Sequence, residues 1–428
     1  VGEHDRTTAR FGAVPADIVT DPAGPLGFTQ REWRTVLPLS FASFFENYDY
    51  ALLSVAAPVL SSGLGVSATD FGIAVSVIRV SGLAAVVLVG LADRLGRRHM
   101  LLVTLAGLAV STGLTAAAWG IVSFVVLSSL SRVFLSAEGV MTGVVIAEEV
   151  HPTRRGRAIS VSGLIGQTGF GAVAILVAVV PSLPLGWRWL YLLALGPLLL
   201  VAGLRRNLSE TEAFHAAASE DRVHRRGVLR LPRRWWGRTA ACVVVFGAVG
   251  AFQTSAGYYA AQLAQNTYDW TGTYTLVVIA SGLFTLLGFI VGGRGSDRVG
   301  RRPVISLGVV VETAGVAVMF GGGESWYAVG WFGFALGQAM IAGCWVAFVS
   351  ELVPTEVRAT VSSLVVSMQV AAGSVGLVVA STVGESIRES GRVGAWMGIV
   401  SIASLGVLWR LPEVAGRDVV GAYGPEHR

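Results

Sequence analysis

Six ionisable side chains stand inside long apolar runs of this 428-residue chain: Glu46, Asp49, Arg79, Arg132, Glu138 and Glu312. An ionised group at mid-bilayer costs about 2.5–3.5 kcal/mol on insertion scales, so each needs a partner, water or a task. Glu46 and Asp49 are three residues apart and share one helix face. Two carboxylates at half depth do not both stay ionised cheaply, which suits a group that takes up a proton on one side and releases it on the other. Asp49 is the expected proton carrier, with Glu46 as its modulator or substitute and Glu138 as a further coupling candidate. The competing reading is a permanent ion pair between Asp49 and Arg79 or Arg132. Either arginine could instead fork onto a substrate carboxylate. Glu138 falls about 240° round the helix from Arg132, so it needs a partner on another helix or a bound proton. Glu312 reads as structural.

The elements that must position these groups are apolar helices. The chain is 53% hydrophobic and only 14% charged, with a mean hydropathy of +0.64, more apolar surface than a soluble core hides. Stretches of about 20 apolar residues cross roughly 30 Å of hydrocarbon as helices. Twelve such spans are expected at 36–60, 71–92, 99–119, 122–147, 158–180, 187–204, 239–264, 273–293, 303–320, 326–350, 360–383 and 393–409. Arginines crowd the loops after even-numbered spans: Arg94, Arg97 and Arg98; Arg154, Arg155 and Arg157; the run 205–238; Arg294 to Arg302; and Arg358. The opposite loops hold Arg188, Arg388 and Arg392. By the positive-inside rule the arginine-rich loops and both termini face the cytoplasm. The net charge of +5 is thereby explained without nucleic acid. Cys242 and Cys344 read as small core residues, Trp119, Trp187, Trp189, Trp270 and Trp326 as interfacial anchors, and the polar residues 1–30 as a tail without a cleavable signal.

The spans are duplicated. GLADRLGRR at 90–98 returns as GRGSDRVGRR at 293–302, with Asp93 and Asp297 separated by 204 residues. EEVHPTRRGRA around Glu149 returns as SELVPTEVRAT around Glu351, 202 residues on. Two unrelated signatures at one period imply two homologous halves. The expected organisation is a tail 1–35, a six-helix bundle 36–204, a basic linker 205–238, a second six-helix bundle 239–410 and a tail 411–428.

The paired loop motif resembles that of the major facilitator superfamily, across residues 36–410. The resemblance implies an all-α membrane protein with twelve transmembrane helices in two pseudo-symmetric bundles. It also implies that the motif residues form a conformational gate: Gly90, Asp93, Arg94, Gly96, Arg97 and Arg98 in the first copy, and Gly293, Asp297, Arg298, Gly300 and Arg301 in the second, together with Glu149, Glu351 and Arg358. Physically, a glycine lets neighbouring spans approach closely while Asp and Arg pair at helix ends. LRRNLSETEAF at 204–214 looks like the signature of metabolite:proton symporters. FFENYDY is similar to the acidic, aromatic first-span motif of aromatic acid:proton symporters, with Glu46 and Asn47 in place of the usual DG. GCWVAFVSELVPTEVR at 343–358 looks like the tenth-span ending of sugar porters. SGLIGQTGFG in the fifth span lacks the Gly-Pro of drug:proton antiporters.

Cavities of the superfamily are lined by spans one, four, seven and ten. That implies Tyr48, Gln253, Tyr258, Tyr259, Gln262, Gln338 and Trp345 as substrate contacts beside Arg79 and Arg132, with Gln167 added from the fifth span. The same side chains could equally serve helix packing. The expected function is a proton-coupled symporter importing a small organic metabolite, a carboxylate and possibly aromatic one, by alternating access in the cell membrane. An exporter on the same fold and a non-transporting receptor are the alternatives. With no lysine, no phosphate loop and no Cys/His metal spacing, no enzyme activity, metal or cofactor is expected, and the partners are a small molecule, protons and lipid around a single chain.

Overall fold

Hydrophobic length dictates the architecture, and the computed structural model consists of helices joined by short turns. It describes residues 28–95, 97–149, 155–205, 232–353 and 355–413, with no strand among them. Side chains of 92–98 and 143–160, and Gly96 itself, lie outside what is described, so the gate candidates Asp93, Arg94, Arg97, Arg98 and Glu149 are not placed.

The first span runs Gln30–Leu52 and, after a turn, Ala57–Leu64. The second joins Ala68–Ser81 to Ala85–Leu95 through a 3-10 turn at Gly82–Ala84. Then come Arg97–Ala116, Ile121–Glu149, Arg155–Val179 and Arg188–Arg205. In the second half the spans are Arg233–Gln262, Gly272–Ile290, Arg301–Gly321, Tyr327–Ala342 continued by Trp345–Glu351, Thr355–Val383 and Ile387–Leu408. Ten helices among the described residues are long and apolar enough to cross a membrane, and Arg188–Val201 is a shorter apolar one. The first span falls outside that set because it carries Glu32, Arg34, Glu46 and Asp49 and breaks after Leu52.

The first span starts earlier than its apolar run because Thr29 caps it. Thr29 Oγ1 accepts from the Glu32 amide at 3.2 Å, while the Thr29 amide donates to Glu32 Oε2 at 2.8 Å, a reciprocal capping box. Pro58 opens its second segment and Gly65, at φ +69°, closes it. The seventh span likewise begins at Arg233, within the stretch expected to be linker.

Packing repeats with the sequence. The first span packs on the fifth, the third on the fourth and sixth, and the second on the fourth; the seventh packs on the eleventh, the ninth on the tenth and twelfth, and the eighth on the tenth. The halves meet where the second span packs on the eleventh and the fifth on the eighth. One apolar cluster, including Phe71, Phe124, Tyr258, Tyr274 and Leu377, bridges both halves at the arginine-poor end. Toward the arginine-rich end the clusters are separate, one around Phe246 and Phe348 and another around Val36 and Met141. Among the described residues three hydrogen bonds run from side chains of the second half to main-chain carbonyls of the first, all at the arginine-poor end: Tyr258 Oη to Ala68 O at 2.7 Å, Gln265 Nε2 to Val55 O at 2.8 Å and Thr275 Oγ1 to Ala174 O at 2.8 Å.

Two expectations change. Trp187 is not an interfacial anchor: it is 3% exposed and packs edge-on against Phe124 and Tyr191, whereas Trp119 is 86% exposed. The close helix approach expected of the motif glycines falls one residue away. Nothing lies within 4 Å of a Cβ built on Gly90 or Gly293, but one on Gly292 would collide with the Met340 carbonyl.

Candidate transport site

Halfway along the first span, Asp49 Oδ2 meets Arg132 Nη1 of the fourth at 2.9 Å. The side chains are 18% and 14% exposed, so the pair sits mostly out of solvent, where each charge would be costly alone. Gly82 makes room for it: a Cβ there would stand 3.4 Å from Arg132 Cγ and 2.7 Å from Ser136 Oγ. Ser81 Oγ fastens the same turn to Ser129 O at 3.1 Å.

Arg79 approaches from the second span and stacks its guanidinium 4.7 Å from the centre of the Tyr50 ring. It is within electrostatic reach of both Asp49 and Arg132. Arg79 Nε and Arg132 Nε are buried with no hydrogen-bond partner among the described residues. One cation therefore pairs with the carboxylate, a second stands nearby on the Tyr50 ring, and donor capacity is left over. Tyr48 is fastened to the sixth span, its hydroxyl donating to Leu190 O.

The remaining candidates do not join this cluster. Glu46 is exposed, beside Gly139 of the fourth span, and makes no described ion pair. Glu138, 1% exposed, accepts from Thr104 Oγ1 of the third span at 2.7 Å, the partner on another helix that its angular position required. Gln253 reaches away from the first half, donating to Glu312 Oε2 at 2.8 Å. Tyr258 belongs to the inter-half seam, with Gln262 Nε2 donating to its hydroxyl at 3.2 Å, and Tyr259 donates to or accepts from Ser381 Oγ at 2.9 Å. Trp345 packs on Phe246 with ring centres 5.1 Å apart. Gln338 is half-buried and Gln167 exposed.

At the arginine-rich end the second motif copy is built around two arginines. Arg301 forks onto Glu351, Nη2 to Oε1 at 3.0 Å and Nε to Oε2 at 3.3 Å, and its Nη1 meets Asp297 Oδ1 at 2.9 Å. Arg358 Nε holds Ser350 O at 2.8 Å, just before Glu351. Arg302 pairs with Glu413 at 3.3 Å and caps Leu411 O at 2.6 Å. Glu413 also accepts the amides of Arg301 and Arg302 at 2.9 and 3.0 Å, sealing the start of the ninth span. Glu413 was missed because it stood in a presumed tail. A signal existed: Glu210 in the ETEAF segment precedes it by 203 residues (413 − 210), the period of the duplication.

Residues 39–377 match the sequence profile of the Major Facilitator Superfamily. The chain belongs to that superfamily. It is 26% identical to the citrate-proton symporter of Klebsiella pneumoniae, over 86% of this chain and 89% of that one. It is 24% identical to the sialic acid transporter NanX of Escherichia coli K12, over 88% and 92%. Among solved structures, a D-xylose-proton symporter superposes with a TM-score of 0.75 at 16% identity, covering 90% of this chain and 99% of that one. As a superfamily member the protein is a multi-pass membrane transporter and not an enzyme, and its twelve helices form the two bundles that the duplication implied.

Proposed function

We propose that the protein is a proton-coupled symporter that imports a small organic carboxylate across the cell membrane by alternating access. The observation that carries this reading is the Asp49–Arg132 pair with Arg79 alongside. While Asp49 is ionised it occupies Arg132. A proton on Asp49 removes that claim, and the freed guanidinium forks onto an anionic cargo with Arg79 as second cation. Proton and anion then enter together, because neither is well housed without the other. Relatives named for citrate and sialic acid, both carboxylates, support the cargo class.

By the positive-inside rule the arginine-rich end is cytoplasmic in this reading, which places the described side-chain bonds that join the halves at the outer end. At the other end Arg301 and Arg302 are engaged within the second half, and in this reading Arg301 and its partner Glu351 serve in the gate that the motif resemblance suggested.

The test is uptake into proteoliposomes under an imposed pH gradient, with cargo chosen by thermal-shift screening of carboxylates, sugars and cationic drugs. Gradient-driven carboxylate uptake that Asp49→Asn abolishes is expected. Uptake indifferent to the gradient defeats the coupling; stabilisation by cationic drugs alone defeats the cargo class.

A further inference from the structure

Beside Asp49 lies a partly open cavity lined, among the described residues, by side chains of the first bundle alone. Its lining includes Asp49 and Tyr48 of the first span, Thr112 of the third, Ser128 and Ser131 of the fourth and Tyr191 of the sixth. The cavity measures about 30 Å³. One water needs about 10–15 Å³ of such volume, so there is room for about two.

The lining is mostly apolar, with Phe45, Leu52, Leu108 and Leu135 among it, but polar groups stand in it beside Asp49. Ser128 lies by the Tyr191 hydroxyl, whereas Ser131, 7% exposed, has a hydroxyl with no hydrogen-bond partner among the described residues. Most serines of these spans return their hydroxyl to a carbonyl one turn back, as Ser111 does to Gly107 at 2.7 Å. Buried hydroxyls left without that bond are satisfied by water in nearly all proteins. An empty apolar void stays dry, but this one has a carboxylate on one wall and the unpaired, buried Ser131 hydroxyl on another.

We propose that this cavity holds a water cluster that delivers protons to Asp49 and takes them back. The inference rests on the proton-coupling reading and adds the route. A proton passes from a hydronium in the cavity to the Asp49 carboxylate; the donor is left as neutral water, and Arg132 keeps its charge but loses its anion. The reverse transfer restores the pair. The charged and titratable groups around Asp49 are Arg132 on the fourth span, Arg79 on the second with Tyr50 beneath it, Tyr191 on the sixth and Tyr48 on its own; Glu46 is exposed on the side of Gly139, and the fifth span carries no ionisable side chain from Ala158 to Val180. None of the others is a carboxylic acid within the cavity, so water is the exchanging partner. Because the pocket is lined by one bundle, proton exchange there does not require the two bundles to part.

Infrared difference spectroscopy of the purified full chain, transferred from H₂O to D₂O, reads this directly. The carboxylic acid band that grows in as the pH is lowered, and that is missing from Asp49→Asn, identifies the group. Ser131→Val fills the pocket and removes a hydroxyl, and should slow deuteration of that band at least tenfold, whereas Ser131→Thr, nearly the same in volume, keeps the hydroxyl and should exchange faster than the valine variant. Wild-type exchange rates in a folded Ser131→Val protein overturn the water route while leaving coupling intact. Absence of any Asp49-dependent band overturns both.

Discussion

Gly300 and Glu413 occupy one another's space. Gly300 sits at φ +115°, and a Cβ built on it would lie 2.9 Å from Glu413 Oε2, the oxygen that accepts the Arg302 amide. The turn into the ninth span therefore requires glycine twice over, for its backbone angle and for the carboxylate that caps it.

Gly300→Ala should destabilise the purified protein by about 1–3 kcal/mol, combining left-handed strain with displacement of the cap. Gly293→Ala, in open space within the same motif, should stay within about 1 kcal/mol of the parent in either direction. Thermal denaturation in detergent compares the two. Equal losses would mean that the motif glycines act alike, contrary to the geometry.

The Arg301–Glu351 fork should show strong non-additivity. Glu351→Gln and Arg301→Gln are each expected to cost about 1–3 kcal/mol, while the double variant costs little more than one of them, because each single change strands a half-buried charge. A double-mutant cycle on melting curves measures the coupling, and a coupling near zero refutes the pairing.

Removing Asp49 should hurt more than removing the whole pair. Asp49→Asn leaves Arg132 mostly buried without an anion, a cost on the order of 3 kcal/mol, whereas Asp49→Asn combined with Arg132→Met should recover much of it. Stability in detergent is the measurement. Transport should be lost in both, so stability and activity part company.

Tyr258→Phe deletes the bond to Ala68 O and should shift the conformational balance by about 1 kcal/mol, roughly fivefold, toward opening at the arginine-poor end. Spin labels on Ser62→Cys and Thr273→Cys, exposed positions at that end of each half, read the distance distribution. A distribution identical to the parent's sinks the claim that this bond helps hold the seam.

Much of the scaffold was legible because lipid allows few solutions. A chain without water must satisfy its backbone internally, so apolar length translates into helices, and the 202- and 204-residue repeats into two halves. The Asp49–Arg132 contact was within reach for the same reason, since a charge at that depth needs a counter-charge; single-sequence reasoning could not choose between Arg132 and Arg79 because both lie at suitable depth. What stayed hidden depends on angles and on packing. Gly292 rather than Gly293 makes the close approach because it stands one turn after Gly288, on the same face against the tenth span. The unpaired Ser131 hydroxyl was invisible because serine in an apolar helix usually bonds its own backbone, and only coordinates reveal which serines do not.

The three side-chain-to-carbonyl bonds of the seam share a polarity: every donor is a side chain of the second half, and every acceptor is a main-chain carbonyl of the first. Substitution in the first half cannot delete a carbonyl, so that half is free to diverge in identity without erasing the fastening. A chimera pairing this chain's second half with a foreign first half would inherit the closure intact, and the reciprocal chimera would not.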